Sequence, residues 1–312
     1  MGMFFLIAGL GVVAAGLVGT LLLTRMRANA RVDGLNDRLL DAVDAGATTH
    51  VSPGLYADVP APVRRYFRHV LQDGQSFVAT ARLTQSGTFR SVADAPGAWS
   101  AFRATQVVTT RPPGFLWDAE VDMIPWASVR VLDAYVQGTG HLRARMGNVL
   151  TVMEPSPSPA LNEGELLRYL AEAPLYPTAL LPEMGVHWTP IDDRSARATI
   201  ADRGTTASLI FHFNDRAEVE RVTGWRPFLR TDGTPESQPW TGRWRAYARR
   251  DGMCVPTKGT VAWGAPGHEE TYWRGDIEDH AYTFCVLEAP FVDSDGSSLR
   301  ERLSGRDGGQ VN

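Results

Sequence analysis

Hydrophobic residues divide the chain into one uninterrupted apolar run followed by a long region of short, alternating segments. The run over residues 3–23 contains no charged side chain, and a helix needs about 20 such residues to cross the hydrocarbon core of a bilayer. No Lys or Arg precedes the run, as a signal peptide would require, and no cysteine follows it as a lipid attachment site. The sequence therefore predicts a transmembrane anchor over residues 1–24.

Small residues recur on one face of this predicted anchor, at Gly11, Ala15 and Gly19. This spacing lets two membrane helices approach closely, although glycine is also frequent in membrane helices generally. The stripe gives the hypothesis of a homodimer formed through these three positions.

Basic residues follow the anchor directly, at Arg25, Arg27 and Arg31. Such residues collect on the cytoplasmic side of membrane proteins. The sequence therefore predicts a single-pass protein of the cell membrane, and these arginines favour a cytoplasmic position for the rest of the chain.

Residues 25–59 read as a juxtamembrane helix and linker. Apolar positions at Val32, Leu35, Leu39 and Val43 have helical spacing, and a loop rich in Gly, Thr, Ser and Pro follows. A second helix is predicted over residues 60–71, where apolar residues again form one stripe.

Two blocks of strands are predicted, separated by a helical insertion. The strands are rich in Val, Thr, Phe and Trp, and short gaps between them favour antiparallel hairpins. The first block covers residues 77–83, 87–92, 98–109, 115–123, 128–136 and 141–146. The second block covers residues 195–202, 206–213, 219–227, 241–249, 259–263, 269–276 and 281–287.

The insertion begins after a Pro-rich break at residues 154–159. Asn162 with Glu165 three positions later has the spacing of a capping box, and Leu166, Leu167 and Leu170 form an apolar stripe. Pro174 is expected to end this helix, and residues 177–182 to form a second turn.

These elements predict an α+β fold, with one large, curved, half-barrel-like antiparallel sheet over residues 60–290. An N-terminal helix and a two-helix insertion accompany the sheet, and one transmembrane helix precedes it. The polar, glycine-rich residues 291–312 predict a disordered tail.

Composition excludes several functions. The net charge is -4 and no Lys/Arg-rich block occurs, so nucleic acid is not an expected partner. Phosphate-loop, nucleophile-elbow and metalloprotease motifs are missing, so no cofactor, metal ligand or catalytic residue is assigned. Cys254 and Cys285 are expected to be buried free thiols, although the sequence leaves open whether they are bonded.

Two side-chain sets are candidates for a site. Glu163, Glu165 and Glu172 on the insertion helix fit ordinary helix-end and surface-pair roles, and they also fit acid–base work in a cleft. Seven aromatic residues recur across the second strand block, and they fit a packed core or the wall of an apolar cavity: Trp188, Trp225, Trp240, Trp244, Trp263, Tyr272 and Trp273.

Residues 162–182, NEGELLRYLAEAPLYPTALLP, resemble an uncharacterised bacterial family of single-anchor membrane proteins. The match continues at His187-Trp188, 195–199 (SARAT), Pro239-Trp240, 261–263 (VAW) and 272–274 (YWR). It covers most of residues 60–288 and implies no activity.

The order of helices and strands is also similar to the lipoprotein-carrier half-barrel of the LolA and LppX type, without a shared motif. This resemblance implies a lipid or other hydrophobic ligand between the sheet and the Leu166/Leu167/Leu170 helix.

Three functional hypotheses follow. The first is a membrane-tethered binding protein for a lipid or apolar molecule, with the insertion helix as its lid. The second is a scaffold or assembly module without a small ligand, and the third is an enzyme that uses the Glu163/Glu165/Glu172 cluster. The predicted ligand-binding residues are Glu163, Arg168, Tyr169, Trp188, Trp225, Trp240, Trp263 and Trp273.

Overall fold

The computed structural model describes residues 2–44, 50–90, 98–124, 127–147, 149–230 and 234–285, with the backbone alone for residues 2–18, 20–22, 124, 127 and 229. Gly11, Ala15 and nearly all of the predicted anchor thus fall outside the described side chains, and the predicted tail falls outside the described residues. Where side chains are described, no helix is both long and apolar enough to span a bilayer.

The described residues contain thirteen strands in one antiparallel sheet. These are β1 Val78–Phe89, β2 Ser100–Thr110, β3 Pro113–Ile124, β4 Ala127–Val136, β5 Thr139–Met146, β6 Leu150–Met153, β7 His187–Asp192, β8 Ser195–Asp202, β9 Thr205–Phe213, β10 Val219–Leu229, β11 Pro235–Arg250, β12 Met253–Trp263 and β13 Glu270–Phe284. Their order is β6-β5-β4-β3-β2-β1-β13-β12-β11-β10-β9-β8-β7, so the sheet is open, with β6 and β7 at its edges.

The sheet is strongly curved. Helix α3, Pro159–Glu172, contacts both β5 and β9. These strands are nine spacings apart in the order, which is roughly 43 Å in a flat sheet, whereas a helix of this length spans only about 21 Å. The ends of β4 and β8 also meet, since Tyr135 Oη donates to Asp202 Oδ2 over 2.9 Å. The predicted large, curved antiparallel sheet is therefore confirmed.

Helices lie on both faces of the sheet. Helix α2, Ala61–Val70, and α3 pack on the inner, concave face, where they share one core with the sheet. Helix α1, Gly2–Asp41, packs its last turns on the outer face. Leu39 of α1 is 2% exposed and lies so near Gly114 of β3 that a Cβ added there would be 2.7 Å from Leu39 Cδ1.

In strand β4, alternate side chains pack on the outer and the inner face of the sheet. Leu132 and Ala134 belong to the outer core with α1, whereas Val129, Val131 and Asp133 line the inner face. The strand is thus covered on both sides, and one of its inner positions carries a charge.

Several predicted boundaries were wrong. Residues 77–83 and 87–92 were predicted as separate strands, whereas residues 78–89 form the single strand β1, with Gly87 inside it. A Cβ there would lie 2.9 Å from both Gly275 Cα and the Phe102 ring, so close packing explains the glycine. Segments 269–276 and 281–287 were likewise predicted as separate strands, whereas β13 runs without a break from Glu270 to Phe284, and the sequence did not predict β6 or β7.

The insertion differs from its prediction in two ways. Ser158, not Asn162, caps α3 by accepting from Leu161 N over 3.2 Å, while Asn162 Oδ1 accepts from Gly140 N over 2.8 Å. The predicted second helix is replaced by three 3₁₀ turns, Ala173–Leu175, Pro177–Leu180 and Pro182–Met184, because a proline interrupts the helix at the start of each. The predicted leucine stripe of α3 is confirmed as buried.

Candidate functional site

A cavity of about 1050 Å³ lies between α3 and the inner face of the sheet. This volume is at the upper end of the range of roughly 300–1,000 Å³ that is usual for small-molecule sites. Helix α3 and residues 155–160 form its roof. Much of its floor and wall is aliphatic, from Val121, Val129, Val131, Leu142, Ala144, Val261 and Ile277.

Aromatic rings form a second wall. Trp240 of β11 pairs with Trp263 of β12, and directly paired residues project from the same face of a sheet. Trp263 stacks on Tyr272 of β13, with ring centroids 6.0 Å apart, and Trp240 Nε1 donates to Tyr272 Oη over 3.3 Å. The Trp240 N–H is therefore satisfied by Tyr272, while all three rings still line the cavity.

Arg168 of α3 is the centre of a buried polar network at the roof. Its Nε donates to Glu172 Oε1 over 2.9 Å, and its Nη1 donates to Asp133 Oδ2. The guanidinium lies 5.0 Å from the Phe115 ring centroid and 4.9 Å from that of Trp117. Burial by itself lowers the pKa of Arg168, but the nearby carboxylates outweigh burial and raise this pKa above its ordinary value.

Two glutamines extend the network across the sheet. Trp117 Nε1 donates to Gln85 Oε1 over 2.9 Å, Gln85 Nε2 donates to Gln106 Oε1 over 2.8 Å, and Gln106 Nε2 donates to Glu172 Oε2 over 2.6 Å. Gln106 is fully buried. This chain fixes the Glu172 carboxylate from the side opposite Arg168.

Arg226 of β10 forms the second cationic point. Its Nη2 lies 3.6 Å from Glu165 Oε1, and its Nε donates to Gly164 O over 3.1 Å. The guanidinium lies 5.7 Å from the Trp240 ring centroid and 5.9 Å from that of Trp263. Polar and aromatic walls of the cavity therefore meet at this arginine.

Glu165 is the most perturbed acid of the cavity. Burial raises its pKa well above its usual range, and the charge of Asp133 and a hydrogen bond with Asp133 raise it further, against the opposing effect of Arg226 and Arg168. The residue is 3% exposed. The raised pKa favours the protonated, neutral form of Glu165. A neutral Glu165 reduces the negative charge that Arg168 and Arg226 must balance.

Four predicted ligand-binding residues come together at this cavity. Arg168, Trp240, Trp263 and Trp273 all line it. Their contact with a ligand stays a prediction, but the structure places them within one continuous wall and roof.

The other four do not line the cavity. Glu163 is exposed on α3, and Tyr169 is buried against Tyr176, with ring centroids 5.6 Å apart. Trp188 packs on Phe211 and donates from Nε1 to Leu180 O over 2.9 Å. Trp225 is 64% exposed, because the preceding residue, Gly224, pairs with the cavity-lining Trp240, and adjacent residues of a strand point to opposite faces of the sheet.

The carboxylate cluster is also divided. Glu163 faces away, whereas Glu165 and Glu172 line the cavity and belong to different ion pairs. The Arg168–Glu172 pair was predicted as a routine surface pair, and this was wrong. The side chains are only 14% and 18% exposed, because α3 lies across the sheet and turns this side of the helix inward.

Sequence reasoning missed Asp133, Gln85, Gln106 and Arg226. The sequence contained a signal for the first three, because each lies at a position of its strand that the two-residue alternation assigns to the buried, apolar face. Gln85 follows buried Ala81 and Leu83 at two-residue spacing, for example. Polar residues at such positions indicate a buried polar site.

The mouth of the cavity is apolar and lies near the path of α1. Met123, Val152 and Met153 line the cavity and are 44%, 58% and 41% exposed. Asn29 of α1 accepts from Arg130, near the start of β4, and the carbonyl of Arg38 accepts from Gln137, beyond its end. Helix α1 thus runs parallel to β4, and its N-terminal direction leads toward the start of β4 and the mouth.

Comparisons with known proteins give a family and one similar structure. A family model described as "Family of unknown function (DUF6920)" matches residues 57–282. The crystal structure of a LolA superfamily protein from Nitrosomonas europaea is similar, with 14% identity and a TM-score of 0.37, covering 67% of this chain and 88% of that chain. No curated protein matches the sequence.

Proposed function

The chain belongs to DUF6920, a family of unknown function, and we propose that it is a membrane-tethered protein that binds a lipid or other hydrophobic ligand beneath α3. The cavity of about 1050 Å³ carries this proposal. A protein interior that leaves an aliphatic and aromatic cavity of this size gives up packing contacts that would stabilise the fold. Ligand binding explains why the protein keeps such a cavity, whereas a scaffold module without a ligand does not need one.

Membrane tethering rests on the charge-free residues 3–23 at the N-terminal part of α1. The apolar mouth supports it, because α1 leads toward Met123 and Val152. A tether at that end brings the cavity close to a source of lipids. Arg25, Arg27 and Arg31 favour the cytoplasmic side of the cell membrane, and pairing through Gly11, Ala15 and Gly19 stays a prediction.

A carboxylate-based enzyme is the second candidate, and one observation favours it. Glu165 has a raised pKa inside a cavity, as general acids often do. However, Glu172 is held by Arg168 and Gln106, and Glu163 is exposed. Of the three acids, only Glu165 is therefore a candidate for acid–base work inside the cavity, and acid–base catalysis by a pair needs two suitable groups. Ligand binding explains the size and the apolar lining of the cavity better than catalysis does.

Photolabelling of the full chain in lipid nanodiscs tests the binding proposal. The probe is a C18 alcohol with a diazirine in its chain, and labelled peptides are identified by mass spectrometry. We expect adducts in the cavity-lining parts of β11, β12 and β13. The Gly164→Phe variant should lower their yield, because a Cβ at Gly164 meets only Arg226 Nε, at 3.8 Å, so that the ring fills the cavity.

Gly34→Phe is the matched control, since Gly34 is an exposed helical glycine of α1 with nothing within 4 Å of an added Cβ. It should leave labelling unchanged. Two results together would refute the proposal: adducts spread over the outer surface, and an adduct yield that Gly164→Phe does not change. The Gly164→Phe variant must melt at the same temperature as the parent for this comparison.

A further inference from the structure

We propose that the polar end of the cavity binds an uncharged, hydroxyl-bearing head group through Asp133 Oδ1 and Glu165 Oε2. The inference rests on the proposed function and specifies its ligand class: a long-chain amphiphile with a neutral hydrogen-bond donor. The acyl or alkyl chain would occupy the aliphatic and aromatic part of the cavity.

Hydrogen bonding within the cavity is nearly complete except at these two atoms. Asp133 uses Oδ2 for Arg168, and Glu165 Oε1 faces Arg226 at 3.6 Å. Asp133 Oδ1 and Glu165 Oε2 are buried, and apart from each other they have no hydrogen-bond partner. Among the described side chains that line the cavity, no others have a buried polar atom left in this condition.

Both atoms are carboxyl oxygens, so only a hydrogen-bond donor can satisfy them: a proton that the two groups share, or a donor group of a ligand. One proton shared by the two groups agrees with the hydrogen bond between Asp133 and Glu165 that raises the pKa of Glu165. A hydroxyl group fits this site because it donates to one oxygen and accepts the proton of the other.

The cations of the cavity argue against an anionic head group. Arg168 is bonded to two carboxylates, and Arg226 is held by Glu165 and Gly164 O and faces two indole rings. A carboxylate or sulfate would add negative charge beside Asp133, Glu165 and Glu172 without an unpaired guanidinium to receive it.

The depth of the two acids in the cavity also argues against an ionic head group. Glu165 is 3% and Asp133 9% exposed, whereas Val152 at the mouth is 58% exposed. A head group that reaches the two acids must pass the apolar mouth and lose its water. This costs far less for a hydroxyl than for an ion.

Competition against the diazirine probe, with the full chain in nanodiscs, tests the assignment. Three competitors share one chain: oleyl alcohol, oleyl methyl ether and oleyl sulfate. We expect the alcohol to displace the probe at about tenfold lower mole fraction than either analogue. Glu165→Leu should remove the preference for alcohol over ether while the ether still competes, and Glu165→Gln, which keeps an acceptor, should retain part of it.

Each outcome is decisive. Equal displacement by the three lipids, or strongest displacement by the sulfate, overturns the head-group assignment and leaves the binding function intact. A full alcohol preference in Glu165→Leu also overturns it. If Glu165→Leu does not fold, the three-lipid series on the parent protein still decides. Failure of the probe to label the cavity would instead overturn the proposed function itself.

Discussion

At the scale of residues, burial gives a structural role to charged side chains that have ordinary surface spacing in the sequence. Arg168 and Glu172 have the spacing of a surface pair, yet both are mostly buried and connect to Asp133 and Gln106. A buried charge must be paired to be tolerated. Arg168 therefore stabilises the roof of the cavity by neutralising two acids from different elements.

Replacing Arg168 by Met should lower the free energy of unfolding by about 3–5 kcal/mol, because Asp133 and Glu172 lose their cation while buried. Chemical denaturation of the full chain measures this. Arg194→Met is the control, since Arg194 and Asp215 form an ion pair with side chains 70% and 81% exposed, and its loss should cost about 0–1 kcal/mol. Equal effects of the two substitutions would show that the buried network contributes little.

At the scale of elements, each helix has a definite relation to the sheet. Helix α3 crosses the inner face and covers the cavity, whereas the last turns of α1 cover the outer face of β3 and β4. The outer core is small, with Leu35 and Leu39 of α1 facing Leu116 and Leu132. Among the described side chains of α1, few belong to this outer core, so we expect each of them to contribute to the docking of the helix.

Leu39→Ala should destabilise the docking of α1 by about 2–5 kcal/mol, the usual cost of truncating a buried leucine. Hydrogen exchange of amides in α1 reports this, and exchange should quicken there more than in β11 and β12. Leu40 is the neighbouring control, being 37% exposed, and Leu40→Ala should have a much smaller effect. Unchanged exchange in Leu39→Ala would mean that α1 is held by other contacts.

At the scale of the whole molecule, the path of α1 relates the cavity to the proposed membrane tether. Helix α1 runs parallel to β4, and its N-terminal direction leads toward the end of the sheet where Met123 and Val152 line the mouth. If the N-terminal part of α1 lies in a bilayer, the mouth faces that bilayer. Exposed apolar side chains at the mouth then contact lipid rather than water.

A fluorophore sensitive to polarity, attached at Val152→Cys in a Cys254→Ser and Cys285→Ser background, should show blue-shifted emission in nanodiscs. Both native cysteines are free and half-buried, so their removal prevents stray labelling. Ile191→Cys is the control, because Ile191 is 47% exposed on β7, the opposite edge strand. Equal, water-like emission at both positions would place the mouth away from the lipid.

The sequence by itself determined the elements and their class. Alternation and helical spacing are local properties, so they predicted the strand-rich α+β fold, α2 and the leucine stripe of α3. Three of the eight predicted site residues were tryptophans that do line the cavity, namely Trp240, Trp263 and Trp273.

Only the tertiary structure decided which polar residues meet. Asp133, Glu165 and Arg226 belong to elements far apart in the chain, and curvature of the sheet beneath α3 brings them together. The face on which Trp225 lies depended on strand register, and the role of Glu165 depended on the true N-cap at Ser158. Register, curvature and burial arise from contacts between distant residues, which local patterns do not contain.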